Sequence, residues 1–354
     1  MTTVPSRLVV CAPNWLGDAV MALPALGAIR TALPDTRIAV AAVPSIAPLF
    51  DEETPAAQDE LIALGAIDQQ GRARDAAASL SGGQFDAALL LPNSFRAAWT
   101  VRRAGIRDRW GYATNLRRWL LTRPVAPPKG PLHQSAYYAE LVRALGFEPA
   151  AAPPRVSIRT DTARRADTLL RKYGIDSTAA IVGFAPGAAY GHAKRWPPGR
   201  VAQVVARLSK ERGVVCLLVG AAGDRDAGRE IESSLPADVG LVNLIGRTDL
   251  RVLAGVLARC GAFVSNDSGA MHLAAAVGVP VAAIFGPTND RVTAPLGDHD
   301  VLVHPVFCRP CMLRDCPIDH RCMKGISVDA VLHAVTARLD RRAAAGAGGP
   351  HHPS

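Results

Sequence analysis

Aromatic side chains are scarce in this chain: Phe, Trp and Tyr make up 5% of its 354 residues. No nucleic-acid-binding motif accompanies them, so nucleic acid is not the expected partner, despite a formal net charge of +9. Two phosphate fingerprints are missing as well. There is neither a G-x-G-x-x-G nor a G-x4-G-K-[ST], which argues against the dinucleotide loop and the P-loop. The opening residues, MTTVPSRLVVCAP, lack a charged start followed by a long apolar core, so no export signal is expected. No apolar run reaches membrane-spanning length. The longest candidate, Ala270–Gly286, contains His272, Gly278 and Pro280 and reads as a helix followed by a buried strand. Long blocks of like charge are absent too. Arginines are scattered, and densest at Arg102, Arg103, Arg107, Arg109, Arg117, Arg118 and Arg123. That balance suits phosphorylated small molecules or an anionic membrane surface.

What is present describes a soluble globular protein. Hydrophobic residues make up 49% and charged residues 20%, and the length accommodates two domains. Of seven cysteines, Cys11, Cys216 and Cys260 sit in apolar segments and read as buried thiols. Cys308, Cys311, Cys316 and Cys322 form a C-x2-C-x4-C-x5-C cluster. Disulfides are disfavoured without export. The expectation divides between a structural metal, free thiols and a redox-labile pair. The first pair has zinc-like spacing, and the second is wider than a standard ribbon.

The hydrophobic pattern alternates between strand and helix. Arg7–Ala12 reads as a buried strand, Pro13–Asp18 as a loop and Ala19–Ala32 as a helix that Pro24 kinks or restarts. Arg37–Val43 and Phe85–Leu91 are further strands, and His133–Leu145 is a helix ended by Gly146. A proline-alanine stretch, Glu148–Pro154, then separates a second series. Its strands are Ala179–Phe184, Val214–Val219, Leu241–Leu244, Ala262–Ser265 and Val281–Phe285. Helices are expected at Pro198–Arg212, Arg225–Ser234, Asp249–Ala258 and Gly269–Val277. The reading is α/β, with a domain over 1–155, a linker region over 156–178, a second domain over 179–326, a terminal helix over 327–342 and a disordered tail over 343–354. The cleft between two such domains is the expected ligand site, because doubly wound sheets bind at the carboxyl ends of their strands.

Strand ends therefore carry the candidates. After Ala179–Phe184 comes APGAAYGHAKRWP, where Gly187 permits close backbone approach and Lys194 and Arg195 supply cations. After Val214–Val219 comes GAAGDRD, where Asp224 is placed to hold a ribose. After Ala262–Ser265, the sequence NDSGAMH puts Asp267, Ser268 and Gly269 at a helix start, with His272 in the first turns. That junction has two readings, a side-chain helix cap or an anion cradle of free N–H groups. His272 reads either as a ligand or as a satisfied core histidine. In the first domain Asp18 follows Gly17 at a strand's carboxyl end, as an N-cap or a cleft-facing carboxylate, with Asn14 and Trp15 in the same loop. The D-x-D pairs Asp224–Asp226 and Asp298–Asp300 are too short a match to indicate a metal.

Three stretches coincide with one family pattern. APNWLGDAVMALPAL (Ala12–Leu26), PGAAYGHAKRWP (Pro186–Pro197) and VSNDSGAMHLAAAVGVPVAAIFGPT (Val264–Thr288) resemble the ADP-heptose:lipopolysaccharide heptosyltransferases of glycosyltransferase family 9. The cysteine region CRPCMLRDCPIDHRCM (Cys308–Met323) looks most like the heptosyltransferase II branch. The resemblance implies a GT-B fold of two Rossmann-like domains facing a central cleft, with acceptor on the N-terminal half and nucleotide-sugar on the C-terminal half. It implies inverting transfer from ADP-heptose to the first heptose of the lipopolysaccharide inner core, with no cofactor required for catalysis. Another acceptor such as Kdo, or a nucleotide-sugar epimerase of similar fold, stands as the alternative. By the resemblance Asp18 is the base and Lys194 neutralises the pyrophosphate. The N–H groups of Asp267, Ser268 and Gly269 cradle it, with His272 nearby. Asn14, Gly17, Gly187, Arg195 and Asp224 are candidate substrate contacts. Ala188 and Ala189 depart from the family, which often carries hydroxyl or acidic side chains there. The implied location is cytoplasmic, peripheral at the inner membrane.

Overall fold

The computed structural model describes residues 4–65, 73–189 and 191–347, with the side chains of 73–75 and 342–347 left aside. Contacts divide the chain into two compact units, Met1–Ser157 and Ile158–Ser354. In chain order the first unit contains β1 (Arg7–Cys11), α1 (Leu16–Ala32), β2 (Arg37–Ala42), β3 (Glu60–Ala63), α2 (Ala73–Ser81), β4 (Ala87–Leu90), α3 (Phe95–Arg103), β5 (Asp108–Tyr112), β6 (Arg123–Val125) and α4 (Gln134–Ala144). The second contains α5 (Thr160–Lys172), β7 (Ile181–Ala185), α6 (Pro198–Arg212), β8 (Val215–Leu218), α7 (Arg225–Ser233), β9 (Leu241–Asn243), α8 (Leu250–Ala258), β10 (Ala262–Asn266), α9 (Gly269–Ala276), β11 (Val281–Phe285), α10 (Asp290–Thr293), β12 (His299–Val303), α11 (Arg321–Lys324) and α12 (Val328–Ala347).

Each unit builds one six-stranded sheet among the described residues, and every strand pairing in it is parallel. The orders are β3-β2-β1-β4-β5-β6 and β12-β11-β10-β7-β8-β9. Counted from each unit's own first strand, both follow 3-2-1-4-5-6, the doubly wound arrangement whose order reverses between the first and fourth strands. Those reversal points are β1/β4 and β7/β10. The central strands β4, β7, β10 and β11 are buried end to end, and β1 is buried from Leu8 onward. A parallel strand covered on both faces reads as an unbroken apolar run, which is why these were legible. Strands β3, β6, β9 and β12 lie toward the sheet edges and are largely half-exposed. Of these, β3, β6 and β12, together with β5, were not expected from the pattern, because their sequences mix polar and apolar residues.

Three expectations change. Helix α1 begins at Leu16, so Asp18 lies in its first turn rather than in the loop before it, and the helix runs through Pro24 as one element. The missing N–H bond of Pro24 is outweighed by burial of Val20, Met21, Ala22, Leu23, Ala25 and Leu26 around it. The stretch 156–178 is not a separate linker. Its helix α5 belongs to the second unit and packs on α8, with Thr162, Ala166 and Leu170 buried on one face. Gly255 makes the contact close, since a Cβ there would lie 2.7 Å from Ala166 Cβ. The terminal helix continues to Ala347, so 343–347 are helical, and the rest of the expected tail lies outside the described residues. The Asp298–Asp300 pair has a structural explanation. Both carboxylates bind the buried guanidinium of Arg338, Asp300 at 2.9 Å.

Trp196 keys the second core. It is 1% exposed, sits in the cluster of Val182, Phe184, Val201 and Val264, and donates its indole N–H to Ile326 O at 3.1 Å. Trp196→Ala opens a cavity and removes one of the two bonds that carbonyl accepts, the other coming from Arg200 at 2.6 Å. We expect a loss of about 3–5 kcal/mol, read as a lowered urea midpoint in equilibrium unfolding.

Candidate active site

The reversal point of the second sheet is closed by an ion pair. Lys194, on the loop after β7, places Nζ 2.6 Å from Asp267 Oδ2, on the loop after β10. Their side chains are 13% and 8% exposed. A pair this far out of water holds both loops firmly, because removing one partner strands the other charge at a cost of about 3–5 kcal/mol. Asn266 ties the same loops from behind. Its Nδ2 donates to Pro186 O at 2.7 Å, and its Oδ1 accepts the Trp196 N–H at 3.1 Å. Asn266 was not singled out from the sequence. Its position as the last residue of β10, directly before Asp267, was the available signal.

The junction at Asp267–Gly269 resolves against a side-chain cap. Ser268 occupies the N-cap position of α9 in an extended conformation and makes no capping bond. Its Oγ lies instead 2.9 Å from Ser265 Oγ. Asp267 is engaged with Lys194. Among the described residues the first N–H groups of α9 therefore have neither intrahelical acceptors nor a side-chain cap, and they lie at the positive end of the helix dipole. The expected three-residue cradle is narrower by one, because the Asp267 N–H donates to Ile284 O at 3.2 Å within the sheet. Ser268 and Gly269 remain at the head of the helix. His272 lies one turn further on, buried at 5% exposure.

Gly187, Arg195 and Asp224 come together on the neighbouring strand end. Arg195 Nη2 lies 3.4 Å from Asp224 Oδ1, and Asp224 Oδ2 accepts the Ala221 N–H at 3.1 Å. A Cβ on Gly187 would sit 2.1 Å from Asp224 Cγ. The close approach that glycine permits here is first of all to this carboxylate.

The four clustered cysteines line one pocket with Ala193, Pro287, Ile318, Asp319 and Arg321. Among the described residues no group of three or more His, Cys, Asp or Glu side chains is placed to hold an ion. Cys316 Sγ accepts the His320 N–H at 3.3 Å, and burial pushes the Cys322 thiol up. The loop braces the loops that follow β7 and β11. Arg314 O accepts the Ala193 N–H at 2.9 Å, and Met312 donates to Pro287 O at 2.9 Å.

In the first unit Asp18 stands at the third position of α1, half-buried, where the helix dipole favours a carboxylate. It is not the N-cap, a place taken by Trp15. Gly17 is buried beneath it, while Asn14 and Trp15 are exposed, Trp15 at 62%. Helix α4 packs on α1 and brings the buried Tyr138 into electrostatic reach. Burial first and the Asp18 charge second push the Tyr138 phenol well above its ordinary range. Beside them, Arg117 is completely buried. It donates to Pro92 O, to Tyr112 O at 2.9 Å and to Ser94 O at 3.3 Å, and desolvation lowers it to about 10. Among the described residues no carboxylate pairs with it.

The family model for glycosyltransferase family 9 (heptosyltransferase) matches residues 74–321. The chain belongs to glycosyltransferase family 9. It is 32% identical over 312 residues to lipooligosaccharide heptosyltransferase 2 of Haemophilus influenzae, covering 84% of this chain and 88% of that one. With lipopolysaccharide heptosyltransferase 2 of Escherichia coli it shares 31% identity over 300 residues, covering 82% and 85%. The solved structure of E. coli ADP-heptose lps heptosyltransferase II matches with a TM-score of 0.81 and 28% identity over 95% of this chain and 99% of that one. The two doubly wound sheets are thus those of a GT-B glycosyltransferase, and the epimerase alternative is set aside.

The contact between Gly187 and Asp224 gives a test of local packing. Gly187→Ala forces the carboxylate from its place and lowers stability by about 1–3 kcal/mol. In the Asp224→Ala background the same change is expected to be close to neutral. Thermal unfolding of the two singles and the double reads the coupling directly; equal losses in both backgrounds would contradict the contact.

Proposed function

We propose that this chain transfers heptose from ADP-heptose to the first heptose of the lipopolysaccharide inner core, with inversion at the anomeric carbon. The observation that carries the reading is the Lys194–Asp267 pair beside the uncapped head of α9, at the reversal point of the second sheet. A buried cation next to free helix N–H groups suits a pyrophosphate. The names of the similar proteins, heptosyltransferase 2 from two organisms and ADP-heptose lps heptosyltransferase II of E. coli, support heptose transfer from ADP-heptose in lipopolysaccharide synthesis.

The chemistry follows from charge. Asp18 takes the proton of the acceptor hydroxyl, the hydroxyl oxygen bonds to the anomeric carbon, and the bond from that carbon to the β-phosphate oxygen breaks. ADP leaves with the electron pair. Negative charge grows on the departing pyrophosphate, where Lys194 Nζ and the Ser268 and Gly269 N–H groups stabilise it. One carboxylate is enough, since the leaving group needs no acid. Asn14 and Gly17 border the acceptor, and Gly187, Arg195 and Asp224 form the wall for ribose or adenine. His272 supports α9 behind the phosphates. The reaction as written uses no catalytic cofactor. Because the acceptor is lipid-linked and the family resemblance implies a cytoplasmic, peripheral location, the proposed place of work is the cytoplasmic face of the inner membrane.

Two variants test these roles. Asp18→Asn keeps the shape and removes the base. Turnover should fall on the order of 100- to 10,000-fold while ADP binding, measured by calorimetry, is retained. Lys194→Ala strands Asp267, so it is compared with the Lys194→Ala/Asp267→Ala double variant. The double should recover stability and still bind ADP poorly. Recovered ADP affinity in the double would remove Lys194 from the phosphate site.

A further inference from the structure

Three aromatic rings lie together on the surface of the first unit, in a protein with few aromatic residues. Phe95 and Trp99, on α3, stack with ring centroids 6.3 Å apart. Trp119, on the turn after β5, completes the triangle at 5.9 Å from Phe95 and 6.4 Å from Trp99. All three are exposed, Trp119 at 59%. Leu116, in the same turn, is 89% exposed and held at φ +58°, in the left-handed region that a leucine adopts only under constraint. The constraint is the buried Arg117 directly beneath, whose guanidinium binds the backbone of 92–94 and of Tyr112 and so fixes both aromatic-bearing segments. Asn115 adds a bond from Nδ2 to Asn93 O at 2.9 Å. A clustered apolar patch maintained against local strain points to a binding surface.

Its surroundings are uniformly cationic. The segment 92–123 carries eight arginines and a single acid, Asp108, which is 3.5 Å from Arg123. Arg102 lies over the Trp119 ring at 5.4 Å, and Arg118 is exposed beside it. This charge argues against a second copy of the chain, which would bring like charges face to face. Rings that bury at a headgroup boundary, with arginines on the same face, fit an anionic bilayer surface. Among the described residues no helix is long and apolar enough to cross a membrane.

We propose that Phe95, Trp99, Leu116 and Trp119, with Arg102 and Arg118, form a docking face for a bilayer rich in anionic phospholipid. The proposal rests on the reading of a lipid-linked acceptor, and it adds which surface meets the lipid. The rings enter the headgroup boundary, and the arginines bind lipid phosphates.

The test is sedimentation of the full-length protein with vesicles of phosphatidylglycerol and phosphatidylethanolamine, against phosphatidylcholine alone, without donor or acceptor. Binding to the anionic vesicles that weakens with salt is expected. The Trp99→Ala/Trp119→Ala variant should lower partitioning roughly tenfold or more by loss of buried ring area. Arg102→Gln/Arg118→Gln should lower it roughly fivefold per charge. The arginine variant decides alone if the ring variant does not fold. Turnover on a short-chain, water-soluble acceptor should stay within about twofold in folded variants, since none of the substituted groups is among those assigned to the transfer site. Failure of that turnover in the parent protein would count against the transferase reading and not against the docking face. Absence of parent binding to anionic vesicles, or undiminished binding in the variants, overturns the proposal. So does self-association by sedimentation velocity that the variants abolish, which would assign the face to a second copy.

Discussion

The Lys194–Asp267 ion pair joins the two loops that leave the middle of the second sheet, and the organisation of that unit's site follows from it. A charge taken out of water needs a partner, so the loop after β7 and the loop after β10 are each held by what the other supplies. Asn266 and Trp196 lock the backbone behind the pair, and the cysteine-bearing loop braces the backbone of Ala193 in front of it. With Asp267 occupied and Ser268 turned to Ser265, the head of α9 keeps its N–H groups for a ligand. The head of the helix is held in place by its neighbouring loops and, among the described residues, carries no side-chain cap.

The first unit meets a similar demand differently. At its own reversal point stands Arg117, a buried cation held by carbonyl oxygens. Its guanidinium gathers the segments that follow β4 and β5 into one platform. Asp18 then sits on a separate and stiffer element, the first turn of α1, with α4 behind it. The positive end of a helix dipole favours a carboxylate at that place, which is compatible with the base proposed for it. The same strand order thus supports a carboxylate in one unit and a cation with free N–H groups in the other.

Much of this was readable in the sequence, and the limits have physical causes. Buried central strands announced themselves as apolar runs, and the bounds of α6 and β11 agree with the expected Pro198–Arg212 and Val281–Phe285. The edge strands β3, β6 and β12 escaped notice because half-exposed strands carry polar residues. Asp18, Lys194 and Asp267 stood out because strand ends in a doubly wound sheet are where ligands bind. That Lys194 and Asp267 pair could not be seen, since 73 residues separate them. Nor could a local sequence decide between cap and cradle at Ser268, because both readings require the same residues. Cysteine spacing left a metal, free thiols and a redox-labile pair open, and what folding adds is that the backbone of this loop serves as a brace. Arg117 was counted among surface arginines, and only packing shows it to be internal.

The most direct measurement is ADP release from ADP-heptose by the purified protein, with heptosylated Kdo–lipid A, with Kdo–lipid A and with no acceptor, alongside the mass of the lipid product. Release that requires the heptosylated acceptor, with the product heavier by one heptose, is the predicted result. Release with Kdo–lipid A alone would contradict the acceptor and move the enzyme to the first heptose addition. Release that is the same with no acceptor would contradict the transfer itself.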